Sequence, residues 1–180
     1  AAHAEEFYWE RESGHPIHVL RYRAFRPRGV VVISHGFTEN AEKYKEIVYY
    51  FIKEHFHVYL PEHCGHGKSY RLVEDPSLVY VDSYYRYVED LLFVARKAKA
   101  EACGLPLVLY SHSMGGGIAA AAAAKAPHLF RKVVLSSPMI RPLTGKAVRR
   151  CKTDRSFCLC HRTRHTVCGR TETIPGNRKL

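Results

Sequence analysis

The stretch LYSHSMGG, residues 109–116, stands between an apolar run, LPLVLYS (105–111), and a small-residue run, GGGIAAAAAAKA (115–126). The apolar run reads as a buried strand. The alanine run has high helix propensity and lets a helix lie close to a sheet. Strand, Ser-His-Ser-Met-Gly, helix is the order that puts a side chain on a sharp bend, clear of the sheet edge. Ser113 occupies that bend and reads as a catalytic nucleophile. Strand and helix cross closely there, so the places two before and two after must be small. Ser111 and Gly115 fill them. Glycine is the more usual residue at the first place, and Ser111 is expected to add strain to the elbow without altering its chemistry. A helix that begins at Met114 presents free N–H groups and its positive dipole end to negative charge developing beside Ser113. The Met114 N–H is the natural donor.

Outward from the bend, strand and helix signals alternate. FYWERE (7–12) and IHVLRYRAF (17–25) read as a hairpin turning at Ser13-Gly14-His15-Pro16. GVVVIS (29–34) is a continuous β-branched run of the kind buried on both faces. A helix over 41–55 follows from the spacing of Tyr44, Ile47, Val48, Phe51 and Ile52, with Asn40 as its cap. HVYLP (57–61) is a short strand, and 62–80 a loop. A second amphipathic helix over 83–101 has Asp82 as candidate cap and Gly104 as its stop. KVVLSSP (132–138) is a further strand. Buried strands separated by helices mean a mostly parallel sheet covered on both faces, with an antiparallel hairpin at one edge.

Two more loops fall at the C-terminal ends of parallel strands, where open α/β sheets bind ligands. In SHGF (34–37) a His-Gly turn can aim the Phe37 N–H at the same oxyanion. In CGHGKS (64–69) two glycines flank His66, but the spacing of a phosphate-cradling P-loop is absent. Together SHGFTE, PEHCGHGKS and YSHSMGGGIA, in that order, resemble the α/β-hydrolase superfamily, within it the monoacylglycerol lipase and bacterial lysophospholipase group, of the serine aminopeptidase S33 type. The likeness runs from about residue 7 to about residue 144.

The resemblance implies the N-terminal portion of an α/β-hydrolase fold, with Ser113 as nucleophile and the backbone N–H groups of Phe37 and Met114 as oxyanion hole. His35, Gly36, Gly65, His66, Gly67 and Ser69 would support the pocket wall. It implies hydrolysis of a carboxylic ester in a small lipid-like substrate, a lysophospholipid or a monoacylglycerol, with no metal and no organic cofactor. A peptidase or other acyl hydrolase uses the same scaffold and stays open as a second reading. The acid and base of the triad follow the nucleophile in chain order, each after a later strand. The sequence runs 42 residues past Pro138. That is too short for a cap, two strands and both catalytic loops, so the chain alone is expected to be inactive or nearly so.

Composition separates a body, 1–144, from a tail, 145–180. The formal net charge is +11, yet the first 145 residues carry 18 Lys/Arg against 15 Asp/Glu. The tail holds most of the excess and four of the six cysteines: Cys151, Cys158, Cys160 and Cys168. It has neither helical period nor strand alternation. Three readings compete for it: a Cys/His metal site that also uses His161 and His165, a basic arm for nucleic acid or anionic lipid, and a change of reading frame near Gly145–Lys146. The last accounts best for the abrupt loss of likeness and excludes Asp154, His161 and His165 as triad members. A nearly balanced body argues against a nucleic-acid partner, and a non-catalytic basic-tail binding protein is the remaining alternative. Two isolated cysteines in the body, Cys64 and Cys103, suit a reducing, cytoplasmic setting, with transient contact at a membrane surface. Nothing in the sequence bears on oligomeric state.

Overall fold

The computed structural model describes residues 3–140. The tail, with every reading of it given above, lies outside the described residues. Among the described residues six strands form one sheet in the order β1-β2-β4-β3-β5-β6. They are β1 (Ala4–Glu10), β2 (Pro16–Tyr22), β3 (Gly29–Ser34), β4 (Phe56–Pro61), β5 (Leu107–His112) and β6 (Lys132–Ser136). The first two form the expected hairpin, in register from Ala4↔Tyr22 to Glu10↔Pro16, with Gly14 at φ +75° in its turn. β2 also runs antiparallel to β4, and from β4 onward all pairs are parallel.

Side chains of a strand alternate between faces, and β3, wholly buried, feeds two cores. Val31 and Ile33 join Val58, Leu60, Tyr44 and Val48 on one face. Val30 and Val32 join Leu107, Leu109, Val88, Leu91, Leu92, Ile118, Ala119 and Ala122 on the other. Each such Val or Leu contributes about 1.5–3 kcal/mol by leaving water. Helix α1 (Lys45–Lys53) therefore covers the first face, and α2 (Tyr84–Glu101) and α3 (Met114–Lys125) the second.

Local chemistry sets the helix ends. Asn40 caps as expected, its side chain accepting from the Glu42 N–H, but the first turn, Ala41–Tyr44, is a 3-10 turn and α1 proper starts at Lys45. The cap of α2 is Ser83, which accepts from the Tyr85 N–H, rather than Asp82. Asp82 instead accepts from the Ser83 N–H and holds Arg86 one turn on. Past α2, Cys103 (φ +45°) and Gly104 (φ +89°) turn the chain toward β5.

Strand order reverses around β3. The chain leaves β3 for β4 on one side, then returns through α2 to β5 on the other. The C-terminal ends of β3 and β5 flank this switch point, the place where such sheets bind ligands. Among the described residues β6 forms the far edge, with Val133, Val134 and Leu135 exposed.

Candidate active site

Ser113 is the single residue between β5 and α3, with φ +53° and ψ −119°. A non-glycine residue there costs on the order of 1–3 kcal/mol and persists only where its surroundings impose it. The surroundings do so through the backbone. The Ser113 N–H donates to the Ser136 carbonyl (3.1 Å), and the Ser113 carbonyl accepts from Gly116 (2.9 Å) and Met139 (2.8 Å). Gly115 is forced by close approach: a Cβ there would lie 2.2 Å from the Ser34 carbonyl oxygen and 2.4 Å from that of His35. At the other small position Ser111 is fully buried, and its hydroxyl donates to the Val134 carbonyl at 2.9 Å. The departure from glycine is thus seated by a hydrogen bond to β6. Met114 opens α3, so its N–H has no acceptor within the helix.

The turn after β3 lies beside this bend. His35 is fully buried and has a defined tautomer. Its Nδ1–H donates to the Gly36 carbonyl (2.8 Å), and its Nε2 accepts from the His63 N–H (2.9 Å). A trans peptide points its C=O and N–H in opposite directions. With the Gly36 carbonyl held by the His35 ring, the Phe37 N–H of the same peptide is turned away from that ring. The preceding Gly36 N–H is engaged by Glu39 (2.8 Å) and by the Tyr44 hydroxyl (3.2 Å). Thr38 follows at φ +57°. Among the described residues six non-glycine residues have positive φ, and three of them, Thr38, Ser113 and Ser137, lie in the segments that follow β3, β5 and β6.

Beneath this turn lies a carboxylate that the sequence reading did not single out. Glu62, just past β4, is buried. Its oxygens take three donors: the Ala41 N–H (2.9 Å), the Lys68 N–H (2.7 Å) and the His18 Nδ1 (2.7 Å). It thereby ties the end of the 35–40 turn to the Gly65–Ser69 loop and to β2. Gly67, at φ +48°, exists to leave that carboxylate room, since a Cβ there would fall 2.0 Å from it. The Ser69 hydroxyl completes the knot by donating to the Glu62 carbonyl (2.6 Å) and accepting from the His18 N–H (2.9 Å). The loop spends an amide on an internal carboxylate, which agrees with the absence of a phosphate-cradle pattern.

The electrostatics follow from burial. Burial, then the neighbouring His66, pulls His35 down to about 4, and the Gly36 carbonyl offsets only part of this. Burial, with His35 and His66, also takes His63 well below the usual range. His66 is lowered by burial too; its Nδ1–H donates to the Cys64 carbonyl (3.0 Å), and its Nε2 has no partner among the described residues. These are neutral rings at pH 7. They pack at centroid distances of 4.4 Å (His35–His63) and 5.2 Å (His35–His66), and Phe37 lies edge-on to His66 at 5.7 Å. Among the described residues they form no metal-binding group. The two carboxylates go the other way. Burial alone would raise Glu62, but the bonds from His18, Ala41 and Lys68 hold it at about 2. Glu39 is likewise held at about 2, against its own desolvation, by Lys43, Tyr44 and the Gly36 N–H.

The structure therefore places Ser113, Met114, His35, Gly36 and Phe37 at the neighbouring C-terminal ends of β5 and β3, with Gly65, His66, Gly67 and Ser69 in the loop behind the 35–40 turn. Ser111 and Gly115 flank the bend. His112 is half-buried and lies opposite Ser136 in the β5–β6 ladder. No histidine or carboxylate among the described residues hydrogen-bonds the Ser113 hydroxyl. Sequence reasoning missed Glu62, Glu39, Tyr44 and His63. Glu62 left one usable trace: an acid closing a strand five residues before the second glycine of CGHG.

Comparison with known proteins places this geometry. A family model described as "Serine aminopeptidase, S33" matches residues 26–166. A monoacylglycerol lipase of Mycolicibacterium smegmatis is 34% identical over 119 residues, covering 66% of this chain and 41% of the relative. Lysophospholipase L2 of Escherichia coli is 32% identical over 124 residues, 69% of this chain and 36% of the relative. The chain thus spans about two fifths of the length of the curated relatives it matches. Among solved structures, a thermostable carboxyl esterase from Bacillus coagulans, in complex with glycerol, superposes with a TM-score of 0.64 at 25% identity, over 74% of this chain and 44% of the esterase. A soluble variant of the Saccharomyces cerevisiae monoglyceride lipase gives 0.65 at 22% identity, over 78% and 46%, and speaks for the fold alone.

Proposed function

The chain belongs to the serine aminopeptidase S33 family, and from that premise we propose that it carries the nucleophile half of a serine ester hydrolase acting on monoacylglycerols or lysophospholipids. Ser113 attacks the ester carbonyl, the Phe37 and Met114 N–H groups hold the oxyanion, the alcohol departs, and water releases the fatty acid from the acyl-serine. Such donors, fixed before reaction and shielded from water, supply a large share of the rate. The single observation that supports this reading most is the Ser113 bend at φ +53° between β5 and α3, facing a turn whose Phe37 N–H is swung away from the His35 ring. The relatives named for monoacylglycerol and lysophospholipid hydrolysis support the substrate class. The base and acid come from residues outside 3–140, because no described side chain reaches the hydroxyl. Where a preparation lacks that base, reaction at Ser113 is slow and rests on the oxyanion hole and binding alone. No helix among the described residues is long and apolar enough to cross a membrane.

The family's description favours one competing reading, an aminopeptidase. A long-chain alkyl fluorophosphonate separates the two. Incubated with the chain, it is expected to modify Ser113 slowly but in stoichiometric amount, and not the Ser113→Ala variant. Monoacylglycerol or lysophospholipid should protect against it, and aminoacyl arylamides should not. Protection by the arylamides alone would give the site to a peptidase, and no modification of Ser113 would refute the nucleophile assignment.

A further inference from the structure

We infer that Glu62 is a positioning residue for the oxyanion turn, acting on the Phe37 N–H through the backbone of Ala41 and Lys68. The inference rests on the reading of Ser113 and the Phe37 and Met114 amides given above and adds a residue to it. The turn that carries Phe37 is clamped at its start by His35 and at its end by Glu62, whose Oε1 accepts the Ala41 N–H at 2.9 Å. The other oxygen of Glu62 holds the Lys68 N–H at 2.7 Å and so anchors the loop bearing His66, whose ring packs edge-on against Phe37. One carboxylate thus fixes both the chain that carries the amide and the wall behind it. Gly67 has room for nothing else: its missing side chain is the space the carboxylate fills. A hydrogen-bond donor displaced by about 1 Å costs on the order of a hundredfold in rate, so a residue that sets the turn sets the hole.

The test needs a reaction at position 113 that uses the hole and a second one there that does not. Ser113→Cys provides both. Its thiolate attacks a p-nitrophenyl ester to form a C–S bond through a tetrahedral oxyanion, and p-nitrophenolate leaves. The same thiolate displaces iodide from iodoacetamide by direct substitution, with no oxyanion. Peptide mass spectrometry reads each cysteine separately in the full chain. Exposed Cys103 is the internal reference, and buried Cys64, whose thiol burial raises to about 12, reports folding by staying unmodified.

In the Ser113→Cys background, Glu62→Gln keeps the shape but sets an amide N–H₂ against the donors of Lys68 and His18. Ala41→Pro deletes only the N–H that Glu62 accepts. Ala41 is the first residue of its helical turn, where proline is tolerated, and the preceding Asn40 is extended at φ −139° and ψ 178°, as proline requires. Both changes are expected to lower the ratio of acylation to alkylation at position 113 by roughly ten- to a hundredfold. The alkylation rate and Cys64 protection should hold. If Glu62→Gln exposes Cys64, Ala41→Pro decides. An unchanged ratio with Cys64 still protected overturns the role of Glu62. Acylation at 113 no faster than at Cys103, relative to alkylation, overturns instead the oxyanion reading on which the inference stands.

Discussion

The two segments that follow β5 and β3 are built by opposite means. The bend at 113 is fixed by backbone against backbone: Gly115 under the Ser34 and His35 carbonyls, and Ser113 bonded to Ser136 and Met139. The neighbouring turn at 35–40 is fixed by side chains: His35, Glu39, Tyr44 and, from below, Glu62. The first has no titrating group and no tolerance for a methyl. The second is crowded by the ends of side chains, which can shift, and depends on charge state. A backbone segment can be held rigid by either route, and the routes fail differently.

The sharpest break in this contrast is Gly115→Ala. The new Cβ meets two main-chain carbonyl oxygens that no side-chain movement can relieve. A loss of about 3 kcal/mol or more is expected, read as a drop in the urea midpoint that is the same at pH 5 and pH 8. Next comes Gly67→Ala, which strains a positive φ and presses on the end of a side chain. Its cost should be about 2 kcal/mol. In the double variant with Glu62→Ala, which empties the space, the losses should sum to less than their total by about 1 kcal/mol. Strict additivity would mean that Gly67 and Glu62 do not share that space.

Acid sharpens the contrast further. His35 in the folded chain is held near 4, below the ordinary histidine value of 6.5. The unfolded chain therefore binds its proton first, and stability falls as pH drops from about 6.5 to 4. Glu62 and Glu39, held near 2 against an ordinary 4.5, extend the loss from about 4.5 down to 2. Each contribution is on the order of 2 kcal/mol. His35→Asn keeps a donor for the Gly36 carbonyl and removes one part of the upper step, those of His63, His66 and His57 remaining, so urea midpoints measured between pH 7 and 4 should fall less steeply. A curve as steep as that of the parent would show that His35 is not the group being charged. The smallest effect belongs to Ser111→Ala, which removes one hydrogen bond to the Val134 carbonyl and should cost about 1 kcal/mol. A gain in stability would mean that the serine strains the bend after all.

The same difference decides what a sequence can disclose. The elbow is legible because its constraints are steric and local: small residues at fixed offsets around Ser113, a β-branched strand before and an alanine helix after. The alternation of Val30 to Ile33 between two cores and the helices on both faces follow from the same periodicities. Its caps were half legible. Asn40 stood out by position, whereas Ser83 displaced Asp82 because Ser83 is the residue in extended conformation immediately before the helix. The side-chain clamp was not legible. Glu62 meets Ala41 across 21 residues and His18 across 44, and no local pattern encodes a contact at that separation. The glycines of CGHGKS were visible, but the reason for Gly67 was a carboxylate five residues away. His66 and Ser69 were picked out by motif, while His63, whose N–H fixes the His35 tautomer, carries no signal of its own.

The central claim is that the Phe37 and Met114 amides face the atom bound to Ser113. Amide proton shifts before and after phosphonylation of Ser113 test it most directly. The phosphonyl oxygen stands where an oxyanion would form. Both amide protons should move strongly downfield together, with that of Gly36, committed to Glu39, unchanged. Resonances of Phe37 and Met114 that stay in place on a fully modified serine would contradict the claim.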